Sequence, residues 1–280
     1  MTAPGQRPGT PPHPGPLPDG GRGKEGLALS RMPDGSPEIF CSLQGEGPTC
    51  GVPSVFIRLA QCNLSCSWCD TGYTWDWARF DRRESVMTAS PERVVEWVGE
   101  RVRDWPEAAG LLHPALRTGR VHGPSNAVIT GGEPLLQQAG LVQLGGALRQ
   151  QAMRIEVETN GTITPERDLA ELVDQWNVSP KLSSSGNGRQ RINSDALGWF
   201  ACCERAVFKV VVCDRKDLDE VETLVAEQAI PRHRVMLMPE GVTADALEAR
   251  GRWLQAECGR RGFRLSPRLH IVLWGDRRAR

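Results

Sequence analysis

The sequence predicts an α/β fold: an incomplete (β/α)6 barrel of parallel strands with a disordered N-terminal leader. Three observations predict it. From Ser54 onward, short β-branched runs alternate with longer amphipathic ones, the pattern of parallel strands joined by crossover helices. About six of those runs are convincing strands, too few to close an eight-strand barrel. Four consecutive strand candidates also end in polar motifs, and a barrel-like sheet gathers such motifs at the C-terminal rim, where ligands bind.

Residues 1–37 are dominated by Pro and Gly, as in TPPHPGPLPDGGRG, and lack the apolar periodicity needed to offset the entropy of ordering them. They are expected to be a disordered leader, with residues 38–280 as one folded domain. Strands are expected at 55–59, 127–130, 155–159, 176–179, 207–212 and 235–238, with a further one at 270–274. Helices are expected at 91–103, 135–151, 165–175, 195–203, 218–229 and 243–261. Ser90 before Pro91 is a start signal, since serine caps free amides and proline is pre-set for the first helical position. Residues 104–125 read as an inserted loop whose His113 and His122 lie at the surface. Arg277, Arg278 and Arg280 read as a solvated tail.

Composition narrows the function. Lys+Arg and Asp+Glu both number 34, so the balance of charge recommends neither nucleic acid nor an acidic membrane as partner. No apolar run reaches the length of a membrane span. A small-molecule substrate is the default. The nine cysteines are odd in number and no signal peptide precedes them, which suits a reducing, cytoplasmic setting. Cys202, Cys203, Cys213 and Cys258 read as packing residues. Lysine is confined to Lys24, Lys181, Lys209 and Lys216, which makes each one worth inspecting.

The most informative stretch is CNLSCSWC, with Cys62, Cys66 and Cys69 followed by Asp70 and Thr71. Three thiolates so spaced hold three corners of a cubane iron-sulfur cluster and leave the fourth iron open to a small molecule. A structural zinc site closed by Cys41 or Cys50 is the alternative. After the next strand candidate, GGEP offers close backbone approach at Gly131 and Gly132, a carboxylate at Glu133 and a helix start at Pro134, although an isolated GGEP is also a plain turn. Glu158 and Asn160 suit ribose hydroxyls, and Asn160-Gly161 is also an ordinary turn pair. Ser179 and Lys181 suit a carboxylate, with a solvated lysine as the alternative. Gln44, Glu46 and Arg58 together suit a flat, donor-rich heterocycle bearing a carboxylate, unless Arg58 pairs with an acid in the core. Thr71 suits magnesium or caps the following turn. Trp75 and Trp77 read as core packing.

With these residues in view, the chain resembles the radical S-adenosylmethionine enzymes, on Cys62, Cys66 and Cys69 together with GGEP. Within them it resembles the 7-carboxy-7-deazaguanine synthase family, on SLQGEG, VFIRLAQCNLSCSWCDT, SPKLSSSGN, LMPEGVT and RLHIVLWG. The resemblance runs from about Ile39 to Gly275 and is poor across the inserted loop, giving His113 and His122 no role. It implies a radical S-adenosylmethionine type of barrel in which Cys62, Cys66 and Cys69 bind a [4Fe-4S] cluster and Thr71 binds Mg2+. Trp68, Asp70, Gly132, Glu133, Glu158, Ser179 and Lys181 would seat S-adenosyl-L-methionine, with Glu133 at the methionine ammonium group. Leu43, Gln44, Gly45, Glu46, Arg58, Thr130 and His270 would hold the pterin substrate.

The implied reaction converts 6-carboxy-5,6,7,8-tetrahydropterin to 7-carboxy-7-deazaguanine with loss of ammonia, a carbon-nitrogen lyase step toward queuosine or related deazapurines. Its opening step is removal of the hydrogen at substrate C6 by a cofactor-derived radical, so no side chain is the catalyst. An electron donor such as flavodoxin or ferredoxin and a homodimer are implied as well. One rival is an activating enzyme for a glycyl-radical partner, which shares the cluster motifs but needs neither QGEG nor Arg58. Another is a non-catalytic zinc-binding module, against which the alternation of strands and helices argues.

Overall fold

All seven residues of the run Ala206–Val212 are buried, as a strand covered on both faces requires. It is one of ten strands that form a single sheet among the residues the computed structural model describes, 26–105 and 124–279. In chain order these are β1 (Leu27–Ser30), β2 (Ile39–Leu43), β3 (Pro53–Leu59), β4 (Val86–Ala89), β5 (Asn126–Gly131), β6 (Arg154–Thr159), β7 (Gln175–Val178), β8 (Ala206–Val212), β9 (Val235–Pro239) and β10 (Arg264–Leu265). The helices are α1 (Arg82–Ser85), α2 (Pro91–Arg103), α3 (Gln138–Gln150), α4 (Arg167–Leu172), α5 (Ser194–Cys202), α6 (Asp217–Glu227), α7 (Ala244–Arg261) and α8 (Leu269–Trp274).

Strands β3, β5, β6, β7, β8 and β9 run parallel in that order, and β10 adds a short parallel end. On the other edge β2 lies antiparallel along β3, while β1 meets β3 at Leu59 and carries β4. The sheet therefore has two ends and is an incomplete barrel. Side chains alternate across it. Val55, Ile57, Ile129, Ile155, Val157, Trp176, Phe208, Val210 and Leu237 join the helices in one hydrophobic core. Their neighbours Arg58, Thr130, Glu158, Asn177 and Lys209 line a cleft on the opposite face. A period of two thus divides core from site.

The six expected parallel strands lie within two residues of the observed ones, and α2 begins as anticipated, with the Ser90 hydroxyl accepting from the Arg93 amide at 3.3 Å. Three expectations are corrected. Residues 270–274 belong to helix α8, because a short apolar run has no periodicity of its own to separate strand from helix. The expected leader overlaps β1, whose Leu27 and Leu29 are fully buried and whose Ala28 backbone is held at both N–H and C=O by the Gln137 side chain. Arg278, expected in solvent, folds back onto Glu38 and Tyr73.

Among the cysteines expected to pack, Cys258 is buried in the core but Cys202 is exposed. Residues 1–25 of the leader, the inserted-loop histidines His113 and His122, and Arg280 lie outside the described residues. No helix among the described residues is long and apolar enough to cross a membrane.

Candidate active site

The cleft has a volume of about 450 Å3 and opens at the C-terminal ends of the parallel strands. The loop after β3 carries Cys62, Cys66 and Cys69 into it, and three neighbouring strand-end segments hold that loop in place. After β5, the Gly132 amide donates to Leu59 O at 3.1 Å and the Glu133 amide to Gln61 O at 2.8 Å. A Cβ on Gly132 would stand 1.9 Å from that same Gln61 oxygen, so only glycine permits the approach. Gln61 itself has φ of 76°, an uncommon conformation for a side-chain-bearing residue, directly before the first thiol. After β6, the Asn160 side chain donates to Asn63 Oδ1 at 2.8 Å, and Asn63 in turn donates to the Thr162 hydroxyl at 2.8 Å. After β7, Ser185 O accepts from the Ser67 amide at 2.9 Å and Asn187 Oδ1 from the Ser65 amide at 2.8 Å.

Each thiol sulfur accepts one N–H. The Leu64 amide reaches Cys62 Sγ at 3.4 Å, Asn187 Nδ2 reaches Cys66 Sγ at 3.2 Å, and the Trp75 indole reaches Cys69 Sγ at 3.3 Å. Burial pushes the Cys62 thiol up to about 12 and raises Cys66 as well. Sulfurs so buried ionise readily only beside a cation, which an iron-sulfur cluster supplies, and their N–H donors suit bound thiolates. Among the described residues no group of three or more His, Cys, Asp or Glu side chains is arranged around one metal ion. Neither Cys41 nor Cys50, the candidate fourth zinc ligands, lines the cleft. The donor set fits a cluster.

Beside the thiols, Lys181 Nζ donates to Ser179 Oγ at 2.7 Å and lies 5.7 Å from the Trp68 ring centroid. The Trp68 indole nitrogen is buried in the cleft wall without a hydrogen-bond partner, a donor waiting for an acceptor. The Thr71 side chain makes no cap to the turn that follows, and its hydroxyl stands 3.6 Å from Cys69 Sγ.

The far side of the cleft is a chain of paired charges. Lys209 Nζ lies 2.5 Å from Glu46 and 3.2 Å from Glu158, whose other oxygen accepts from the Thr130 hydroxyl at 2.7 Å. Arg268 joins Glu46, at 3.1 Å, to Asp70. Burial would raise the Glu46 carboxyl, but Lys209 and Arg268 overcome it and hold the group far below the usual range. Burial likewise opposes the Lys209 charge, and Glu158 and Glu46 more than restore it. His270 lies 3.9 Å from Glu46, and burial lowers its pKa, which keeps the ring neutral. A Cβ on Gly45 would meet His270 Nδ1 at 2.2 Å, so α8 docks directly on the QGEG segment. Gln44 donates to the buried Glu156 at 3.0 Å, and its carbonyl accepts from the Glu46 amide at 3.2 Å.

Arg58 satisfies both of its readings. Its Nε donates to Glu38 at 2.8 Å while the guanidinium lines the cleft. Tyr73, Ser30 and Arg278 also donate to Glu38, so that carboxylate is shared and does not occupy the whole arginine.

Every site residue expected from the sequence lines this cleft except Glu133. The Glu133 carboxylate is fully buried, where it accepts from the Leu135 amide, the Thr159 hydroxyl and the Asn160 amide at 2.7–3.0 Å. In this arrangement it braces two strand-end turns. Trp75, expected to pack in the core, lines the cleft instead, and Trp77 carries the Arg82 guanidinium 6.0 Å from its ring. Sequence reasoning missed Glu38, Tyr73, Asn177, Lys209, Arg268 and Arg278. Only Lys209 had a readable signal, a lone charge inside the apolar run AVFKVVV, which demands a buried partner.

No protein-family model matches the chain. A 7-carboxy-7-deazaguanine synthase of Pyrobaculum aerophilum is 39% identical over 247 residues, covering 87% of this chain and 96% of that one. The synthase of Halobacterium salinarum is 35% identical over 262 residues, covering 85% and 90%. That of Escherichia coli K12 is 32% identical over 241 residues, covering 84% and 96%. The crystal structure of QueE from Escherichia coli superimposes with a TM-score of 0.59 at 26% identity, covering 86% of this chain and 93% of that chain. With relatives this similar along nearly their whole length, the chain belongs to the 7-carboxy-7-deazaguanine synthase family of radical S-adenosylmethionine enzymes.

Proposed function

We propose that this chain converts 6-carboxy-5,6,7,8-tetrahydropterin to 7-carboxy-7-deazaguanine with release of ammonia, a lyase step toward queuosine or related deazapurines. The observation that carries the proposal is the direct bonding of the GGEP turn to the residue before Cys62, on the same rim as the charged pocket of Glu46, Glu158, Lys209 and Arg268. Cys62, Cys66 and Cys69 would hold a [4Fe-4S] cluster, with S-adenosyl-L-methionine seated against Gly132, Trp68, Ser179 and Lys181. Bound there, cluster and cofactor supply the one-electron cleavage that begins the reaction.

The chain's own residues bind, orient and exclude water. The part of Arg58 not engaged by Glu38 suits the substrate carboxylate, as a planar guanidinium suits a bidentate anion. Glu46, kept ionised by Lys209 and Arg268, accepts from a donor-bearing heterocycle edge, and Gln44 is fixed beside it by Glu156. Phe40 and Phe56 stack at 5.1 Å and give the adjoining cleft wall an apolar, water-excluding surface. His270, neutral through burial, offers a ring nitrogen that accepts a hydrogen bond. The Thr71 hydroxyl, free of any capping bond, suits a magnesium ion that orients the carboxylate. A cytoplasmic homodimer reduced by a flavodoxin or ferredoxin completes the proposal.

The test is an anaerobic assay with the carboxytetrahydropterin, S-adenosylmethionine, a reductant and magnesium, read by mass spectrometry. A product lighter than substrate by the mass of ammonia is expected. Cofactor cleavage with the pterin left intact would assign the chain a different substrate.

A further inference from the structure

Two side chains outside the expected site donate to the sulfurs of the thiol loop, and they reach it from opposite directions. Trp75 lies in the turn that follows the loop, where its own amide is fixed to Gly72 O at 3.1 Å, and its indole N–H points at Cys69 Sγ at 3.3 Å. Asn187 lies at the end of SPKLSSSGN after β7, and its Nδ2 points at Cys66 Sγ at 3.2 Å. The Asn187 amide cannot be turned over without loss. Its oxygen accepts from the Ser65 amide at 2.8 Å and its nitrogen also donates to Ser185 Oγ at 3.0 Å, so two partners fix the N–H on the sulfur. Cys62 receives its hydrogen bond from backbone alone, at Leu64.

We infer that Trp75 and Asn187 are positioning residues that set the reduction potential of the cluster held by Cys62, Cys66 and Cys69. This inference rests on the cluster reading above. An N–H directed at a thiolate stabilises the more negative, reduced cluster over the oxidised one, and hydrogen bonds to the sulfurs are among the levers that set such potentials. Burial strengthens the effect, because the low local dielectric leaves the sulfur charge poorly screened. The two donors thus make the cluster easier to reduce, which eases the electron delivery on which cofactor cleavage depends. Trp75 acts on the sulfur beside Thr71, and Asn187 ties the same tuning to the loop bearing Ser179 and Lys181.

The experiment is a redox titration of the full chain carrying a reconstituted cluster, followed by electron paramagnetic resonance of the reduced cluster without substrate. Trp75→Phe keeps the ring and deletes the N–H, and Asn187→Asp keeps the acceptor for Ser65 while replacing the donor with an anionic oxygen. Both are expected to move the midpoint downward, Asn187→Asp further than Trp75→Phe, and the double variant further than either. Trp77→Phe, whose ring carries Arg82 and donates to no thiol, should leave the midpoint unchanged. A wild-type midpoint or an upward shift in Trp75→Phe would overturn the inference. So would loss of iron binding in that variant, which would make the ring a support and not a tuner. A wild-type chain that takes up no iron would instead overturn the cluster reading itself, and is seen in the iron content before any titration begins.

Discussion

Replacing Lys209 with methionine keeps most of the volume of the stem and removes one charge from the most crowded part of the cleft. Lys209 is 5% exposed and sits between Glu46 and Glu158, which are 12% and 22% exposed. Three carboxylates, Glu46, Glu158 and Asp70, share two cations there, Lys209 and Arg268. Without Lys209 one cation remains. Glu46 keeps Arg268 at 3.1 Å, whereas Glu158 keeps only neutral donors, the Thr130 hydroxyl at 2.7 Å and a long contact from Gln44. Removing one partner of a buried pair costs about 3–5 kcal/mol, and because Glu158 retains some access to water the lower end applies, about 3 kcal/mol. In a domain of this size that corresponds to a fall in Tm of about 6–12 °C.

The pH dependence carries a sign. The folded-state pKa of Glu46 is depressed below its ordinary 4.5, so its contribution is present above that value and lost as pH falls through the folded one. In the variant Glu46 loses Lys209, the larger of the charges that depress it, so the difference from wild type is full above about 4.5 and narrows as pH falls below it. Thermal unfolding followed by circular dichroism at several pH values measures both effects, and Lys209→Met/Glu158→Gln should recover part of the loss. A Tm within about 2 °C of wild type, or a gap that widens in acid, would refute the reasoning.

Gly132→Ala should lower the iron bound per chain severalfold after reconstitution, since the new methyl would stand 1.9 Å from Gln61 O and displace the thiol loop; full loading would contradict this. Arg58→Ala should abolish deazaguanine formation while reductive cleavage of S-adenosylmethionine survives, and normal turnover would favour a substrate without the carboxylate. Arg278→Ala should shift acid unfolding to higher pH. Burial raises the Glu38 carboxyl, but Arg58 and Arg278 bring it below its ordinary 4.5, and with Arg278 gone the folded value climbs and its stabilisation is lost sooner as the medium is acidified. An unchanged acid midpoint, read by tryptophan fluorescence, would show that the tail contact contributes nothing.

The parallel strands were legible because they are buried on both faces and so carry unbroken apolar, β-branched runs such as AVFKVVV. β1 was not legible. Four residues, LALS, become a strand only because Leu29 meets Leu59 and the segment pairs with 86–89, contacts that no local pattern announces. The IVLW run misled for the related reason that its helical state is settled by docking on Gly45 and by the Leu269 amide bonding to Gly45 O at 2.9 Å. In the cleft, the thiols and the GGEP turn were readable because their chemistry lies in short spacing. Arg268 and Glu38 were hidden, since each has its partner more than a strand away and an arginine or glutamate alone reads as surface. Glu133 is legible as a motif residue, while the three hydrogen bonds its carboxylate accepts beneath the turn come from partners that no short spacing announces.

The most direct measurement is the electron paramagnetic resonance spectrum of the anaerobically reconstituted, reduced protein before and after addition of S-adenosylmethionine. With one iron of a four-iron cluster lacking a protein sulfur, the spectrum should change on addition, and Cys62→Ala, Cys66→Ala and Cys69→Ala should each lose the signal. A spectrum indifferent to S-adenosylmethionine, or a colourless protein holding one equivalent of zinc, would contradict the assignment of these three thiols.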